Sequence, residues 1–249
     1  MVERLLVSLP VSPYSERARW ALDHHCLVYT TIVHAPFIGE KKLRALTRVA
    51  DGVTATAPAL IEGDVVIADS TGIARYADAH ADAAGAKLFP ADDDGAVDRW
   101  VLFANNTSAA SRLLVTAALL DSGAALDETL PSSLGILRAP LRPVTRYGTR
   151  WFARKYGVVV NDDTVADATD VIRQALRNLR AALNGRQFLL ADFSWADIVT
   201  CLMLQGVRPV VHERYRLRPA TRRAWTNEAL ASEFADLLAW RDALYATRR

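Results

Sequence analysis

Ser12-Pro13-Tyr14-Ser15-Glu16-Arg17-Ala18-Arg19-Trp20-Ala21-Leu22 follows an apolar strand-like run at residues 4–9, so a hydroxyl stands where a strand hands over to a helix. Pro13 has no amide hydrogen and a fixed φ, which suits the first helical position, and Ser12 before it is a good N-cap. The spacing predicts a helix over 13–25 whose apolar face is Tyr14, Ala18, Ala21 and Leu22, with Glu16, Arg17, Arg19 and Asp23 pointing elsewhere. Free amides and the helix dipole favour an anion at such a terminus, and a thiol held there loses its proton more easily.

Downstream, residues 27–33 read as a strand around Thr30-Thr31-Ile32-Val33, and Gly39 to Val49 has helical spacing at Leu43 and Leu46. Ala57–Ile61 and Val65–Ala68 form a hairpin about Glu62-Gly63-Asp64, and Asp69 and Ser70 cap a helix to about Ala81. The order βαβ-α-ββα is that of an α/β thioredoxin-like domain over residues 1–82. Asp82 to Gly95 has turn residues and no apolar period, so 83–95 reads as a linker.

Residues 96–249 read as an all-α helical-bundle domain. Asp92, Asp93 and Asp94 suit the first turn of a helix running through Trp100, Phe103 and Leu114. Another helix carries Val165, Ala168, Ile172, Ala175, Leu176, Leu179 and Leu183 and stops at Asn184-Gly185. Ser194 and Asp197 are placed to cap a helix reciprocally, with Phe193 and Ile198 as its hydrophobic staple and Cys201, Leu202 and Gln205 continuing it into the core.

The 249 residues are 51% hydrophobic and 23% charged, an ordinary globular balance that excludes a disordered chain. Apolar runs stop well short of the roughly 20 residues of a membrane span. Met1-Val2-Glu3-Arg4-Leu5 has no signal-peptide pattern, so the expected location is the cytoplasm. Cys26 and Cys201 are far apart, which points to buried thiols rather than a disulfide, and the five histidines make no metal-ligand spacing with them. A net charge of +2 implies no general affinity for nucleic acid.

The opening run resembles glutathione transferases of the serine and cysteine type, in which a strand ends in Ser-Pro or Cys-Pro before an aromatic residue and an Arg-rich helix. Ala57-Pro58-Ala59-Leu60 is similar to the family's cis-proline strand, Asp69-Ser70 with Thr71-Gly72-Ile73-Ala74-Arg75-Tyr76 to its acidic-Ser turn and third helix, and Phe193-Ser194-Trp195-Ala196-Asp197-Ile198 to its helical capping box. The resemblance implies a homodimer with glutathione as co-substrate, a small hydrophobic electrophile as acceptor, and Ser12 as the catalytic hydroxyl. It also implies that Ala57 and Pro58 meet the cysteinyl backbone and that Asp69 and Ser70 hold the γ-glutamyl ammonium and carboxylate. Tyr14 belongs with this glutathione-binding group as a packing residue or pocket wall, and Trp100, Phe103 and Tyr147 are candidates for the acceptor pocket.

Each of these residues has a plainer reading. Ser12 and Asp69-Ser70 are ordinary caps, Pro58 is a trans proline at a strand edge, and Ser8 and Ser15 compete with Ser12 for the hydroxyl role. Relatives often carry a Lys near the cis-proline strand for the glycyl carboxylate; here Thr54, Ala55 and Thr56 stand there, leaving Lys41, Lys42, Arg44 or Arg48. That departure supports the alternative of a non-catalytic ligand carrier or protein-interaction module. Thiol–disulfide exchange is disfavoured because Ser12 cannot form a mixed disulfide. Finally, 138–155 holds Arg138, Arg142, Arg146, Arg150, Arg154 and Lys155 with no acidic residue, a basic stripe kinked near Pro140 and Pro143 that serves either as a solvated, salt-bridged face or as a contact for an anion, a partner or a membrane surface.

Overall fold

A computed structural model describes residues 3–82, 85–92, 94–130 and 132–249; Met1 and Val2 of the N-terminal reading, and Ala83, Ala84 and Asp93 of the linker reading, lie outside the described residues. Its contacts divide the chain into two compact units: Met1–Val101 with Phe188–Leu202 and Leu244–Arg249, and Leu102–Gln187 with Met203–Ala243.

The first unit carries β1 (Arg4–Ser8), α1 (Pro13–His24), β2 (Thr30–Val33), α2 (Glu40–Thr47), β3 (Ala59–Glu62), β4 (Val65–Ile67) and α3 (Ser70–Ala79), the thioredoxin-like order. The sheet runs β2-β1-β3-β4, with β1 parallel to β2 and antiparallel to β3, and β3 antiparallel to β4. β2 begins at Thr30 rather than 27, because Cys26 turns the chain at φ 54 and the Leu27 amide reaches back to the Leu22 carbonyl at 2.9 Å. Cys26 is consequently exposed, against expectation, while Cys201 is buried. Alternation along the strands turns Val7, Ala59 and Ile61 toward Leu43 of α2. Ser8, of the opposite parity, meets Arg19 of α1 at 2.6 Å, so α1 and its neighbour α3 cover the other face.

The charged face of α1 is largely turned inward. Glu16 and Arg17 are both 0% exposed, as is Trp20. Glu16 accepts from Arg19 Nε and Arg249 Nε, each at 2.7 Å, and Arg249 also reaches Asp23 at 2.6 Å. Arg17 donates to the Val199 carbonyl at 3.2 Å, and the Trp20 ring NH to the Arg248 carbonyl at 3.1 Å. Residues 188–202 and 244–249 belong to this unit, and they cover the side that an isolated domain would give to water.

After α3, Leu88 and Phe89 are fastened to it. The Asp78 carboxylate accepts the amides of Leu88 and Phe89, each at 3.0 Å, and the fully buried Leu88 accepts the Trp195 amide at 2.8 Å through its carbonyl.

Helices follow: α4 (Ala96–Asp121), α5 (Gly123–Glu128), a 3-10 stretch Ser132–Leu141, α6 (Arg142–Lys155), α7 (Asp162–Leu183), α8 (Trp195–Met203), α9 (Pro219–Trp225), α10 (Glu228–Glu233) and α11 (Ala235–Arg248). Asp92 and Asp94 precede α4 instead of opening it, and Asp98 is the acid in its first turn. α7 ends at Asn184 in the left-handed region as expected, and it opens on an Asn161–Thr164 capping box that the apolar pattern did not reveal. Gln205 lies past the end of α8 in a short 3-10 turn, where its side chain accepts the Val210 amide at 2.7 Å. In the second unit, Glu128 caps α9 by accepting the amides of Ala220 and Thr221 at 3.0 and 2.7 Å. Among the described residues no helix is long and apolar enough to cross a membrane.

Asp197 makes half of the expected capping box. Its carboxylate accepts the Ser194 amide at 2.9 Å, the Ser194 hydroxyl at 3.0 Å and the Leu189 amide at 2.8 Å, so the hydroxyl donates to Asp197. Burial outweighs these donors and pushes the carboxyl up to about 6. A raised pKa in the folded state means that stability from this group is complete below the unfolded value near 4 and is lost as pH rises through about 6. Denaturant unfolding of wild type and Asp197→Asn at pH 7.5 and pH 4 should therefore show the difference moving in favour of the wild type on acidification, by up to about 3 kcal/mol. Equal differences at the two pH values would contradict the burial argument.

Candidate functional site

Strand polarity gathers the expected site residues at one end of the sheet. β1 leaves that end at Ser8, β3 enters it at Ala59 opposite Val7, and β4 leaves it at Ile67 opposite Leu60. The residues just beyond these points are Ser12, Ala57-Pro58 and Asp69-Ser70. The Thr56 hydroxyl donates to the Ala68 carbonyl at 3.3 Å, tying the second segment to the third.

Ser12 is the N-cap of α1, with φ −79 and ψ 127, and Pro13 follows in the first turn. Its oxygen accepts the Ser15 amide at 3.4 Å, beyond the usual range of about 2.7–3.2 Å, so the cap holds it loosely. The two competing hydroxyls are committed elsewhere. Ser15 is buried and accepts the Leu9 amide at 3.0 Å, while buried Ser8 accepts from Arg19. Arg19 also donates to the Pro10 carbonyl at 3.2 Å, which holds the loop leading to Ser12. Tyr14 packs under the Arg17 guanidinium, 4.5 Å from its ring centre.

The Ala57-Pro58 peptide is cis, as expected, and Pro58 is buried. Asp69 is the N-cap of α3 and accepts the Gly72 amide at 2.7 Å, with its carboxylate exposed and Ser70 buried beside it. Of the four cations considered for α2, Arg44 donates to the Val53 and Ala50 carbonyls at 2.6 and 2.8 Å, and Arg48 meets Asp64 at 3.2 Å. Lys41 and Lys42 are exposed. Trp100 falls in the first unit, whereas Phe103 and Tyr147 fall in the second, Tyr147 being 56% exposed.

Sequence reasoning passed over Gly72. A Cβ there would lie 2.7 Å from Asp69 Oδ2 and 2.8 Å from Ile67 Cγ2, so glycine is what lets the Asp69 carboxylate close over the helix. A glycine three residues after an acidic N-cap was the available signal. Gly72→Ala should push Asp69 off its cap and cost about 1–2 kcal/mol, while Asp69→Asn, a good cap, should cost less than about 0.5 kcal/mol. Thermal unfolding reads both, and a neutral Gly72→Ala would overturn the close-approach argument.

Residues 6–85 match the family profile described as "Glutathione S-transferase, N-terminal domain". No curated protein matches the chain significantly. Among solved structures, a glutathione transferase from Phanerochaete chrysosporium, GSTFuA2, is 15% identical over 100% of this chain and 98% of its own, with a TM-score of 0.65. One from Methylobacterium radiotolerans in complex with glutathione sulfonate is 16% identical over 98% and 91%, at 0.61. Another, from Methylobacillus flagellatus with glutathione bound, is 17% identical over 97% and 93%, at 0.57. Residues 6–85 thus match a glutathione S-transferase N-terminal domain, and the chain shares the fold of these glutathione transferases over nearly its whole length.

Proposed function

We propose that this protein is a glutathione transferase-like enzyme that activates the glutathione thiol at the N-terminus of α1 for attack on a small, hydrophobic electrophile. The observation that carries the reading is the loosely held Ser12 hydroxyl, half-buried at the N-cap of α1 while Ser8 and Ser15 are committed to other partners. Its proton is available to a thiolate, and the positive end of the helix dipole lies at the same place. Each unit by which they lower a thiol pKa is worth about 1.4 kcal/mol. Bound glutathione would supply the nucleophile, a sulfur that bonds to the electrophilic carbon as the leaving group departs.

In this reading Ala57 pairs through its backbone with the cysteinyl residue. Ser70 and the first amides of α3 receive the γ-glutamyl carboxylate, and the exposed Asp69 receives its ammonium. Arg44 and Arg48 have protein partners, so Lys41 and Lys42 remain for the glycyl carboxylate. The protein would act as a cytoplasmic homodimer in detoxification, with Phe103, Tyr147 and Trp100 as candidate acceptor contacts. A second reading, a ligand carrier without turnover, draws on Thr54, Ala55 and Thr56 standing where a lysine is expected.

The ultraviolet absorbance of the thiolate in the glutathione complex, titrated against pH, tests the role of Ser12. Ser12→Ala should raise the thiol pKa only part-way to its free value, because the helix amides remain, with conjugation slowed and glutathione still bound. Superimposable titrations would reduce Ser12 to a cap. Separately, calorimetry on Asp69→Ala and Ser70→Ala should show each losing about 1.5–3 kcal/mol of glutathione binding. Unchanged affinity in both folded variants would remove that turn from the site.

A further inference from the structure

Positive charge is concentrated in one stretch of the second unit. From Thr129 to Asn161 the chain holds five arginines, one lysine and no acidic residue, which is +6 within a net charge of +2, so the remainder is net acidic. Part of that charge is consumed, because the Arg142 guanidinium grips Asp127 of α5 through two bonds, at 2.8 and 2.6 Å. Arg146, Arg150 and Arg154 continue along α6 as exposed residues, and among the described residues no carboxylate pairs with them. Four-residue spacing sets these three in a row on the helix, about 6 Å apart along its axis.

Apolar side chains stand uncovered in the same stretch. Gly135 takes φ 48 and ψ −123, a backbone state that favours glycine, and it breaks the 3-10 segment Ser132–Leu141 just before Ile136 and Leu137. Pro140 has no amide with which to continue a helix. The resulting corner leaves Ile136 92% and Leu137 57% exposed. The 3-10 segment packs against α6, where Val144 in the first turn is 54% exposed and Tyr147, three residues on, shares its face. Thr145 and Ala153 take the buried side of that helix. Uncovered aliphatic and aromatic groups therefore lie beside a row of guanidiniums, the pairing of apolar patch and polar rim that marks an interaction surface.

We propose that residues 136–154 form a peripheral docking surface for a bilayer containing anionic phospholipid, with Ile136 and Leu137 entering the boundary between headgroups and acyl chains while the α6 arginines meet the lipid charges. Charge complementarity selects this occupant. A second copy of the chain in a two-fold contact would set the same arginines against one another, and like charges repel. Nucleic acid offers phosphates to the arginines but no apolar layer to Ile136 and Leu137. An anionic bilayer surface offers both. Ile136 and Leu137 also protrude instead of lining a groove, and a fluid interface accepts a protrusion without a matching pocket. Among the described residues no helix is long and apolar enough to cross a membrane, so the contact is with the bilayer surface. The inference is independent of the thiol chemistry proposed for Ser12, and failure of either leaves the other standing.

Sedimentation of the full chain with vesicles of phosphatidylcholine alone, and with vesicles in which about a third of the lipid is phosphatidylserine, tests the proposal. The anionic vesicles should bind at least about tenfold more tightly, and added salt should weaken that binding. Each cation near an anionic surface is worth about fivefold in affinity, so the Arg146→Gln, Arg150→Gln double variant should lose at least about tenfold. The Arg177→Gln, Arg223→Gln double variant makes the same charge change at exposed positions of α7 and α9 and should lose less than about threefold. Ile136→Ser with Leu137→Ser removes exposed apolar groups without touching a charge and should weaken binding at least about fivefold. Absence of binding, or equal binding to the two kinds of vesicle, overturns the surface. So does equal loss in the two arginine double variants, or wild-type binding by the Ile136, Leu137 variant, the last marking a purely electrostatic face of the kind that nucleic acid uses.

Discussion

The placement of α1 depends on a buried charge. Glu16 has no access to solvent, and an uncompensated carboxylate there would carry a desolvation penalty of several kcal/mol. Arg19 and Arg249 neutralise it at 2.7 Å from opposite directions, one from the same helix and one from the far end of the chain. Arg19 also donates to Ser8 and to the Pro10 carbonyl. The loop carrying Ser12 is therefore held by this ion network together with its own turn bond from the Ser12 amide to the Leu9 carbonyl at 3.0 Å. Loss of Arg249 would leave Glu16 with half of its compensation, and the effect would appear at the helix N-terminus.

From that anchor the sheet does the remaining positioning. A parallel β1–β2 pair followed by an antiparallel β3–β4 hairpin brings the end of β1, the start of β3 and the end of β4 to one edge. A hydroxyl at a helix terminus, a cis peptide and a capped acidic turn thus share a neighbourhood although they are spread over nearly sixty positions of sequence. Backbone pairing of this kind tolerates wide sequence divergence, consistent with a fold match at 15–17% identity.

Much of this was legible because it is local. Cap residues, a proline at the start of a helix, β-branched runs and turn glycines each act through their own few neighbours, so the strands, α1, α3 and the Asn184 stop followed from the chain alone. The cis state of Ala57-Pro58 rested on resemblance, since composition does not separate cis from trans at a strand edge. The burial of Glu16, Arg17 and Trp20 was not legible at all. Helical periodicity assigns a charged residue to water unless something distant covers it, and here the cover comes from residues 188–202 and 244–249.

The arginine stripe shows the same limit from the other side. Spacing by four and the absence of acids were in the sequence, and so was Gly157, the residue that ends the helix. Which arginines are consumed was not. Asp127 lies on α5 and takes Arg142, while Arg146, Arg150 and Arg154 face a cleft shared with the end of α4. The sequence by itself determined where helices and strands start and stop, and which residue types stand at their ends, because capping and periodicity are decided within a turn or two of chain. Only the tertiary structure decided which charges are neutralised and which line a cleft, because the partner of a buried charge is chosen by packing, as Glu16 is by Arg249 across 233 positions.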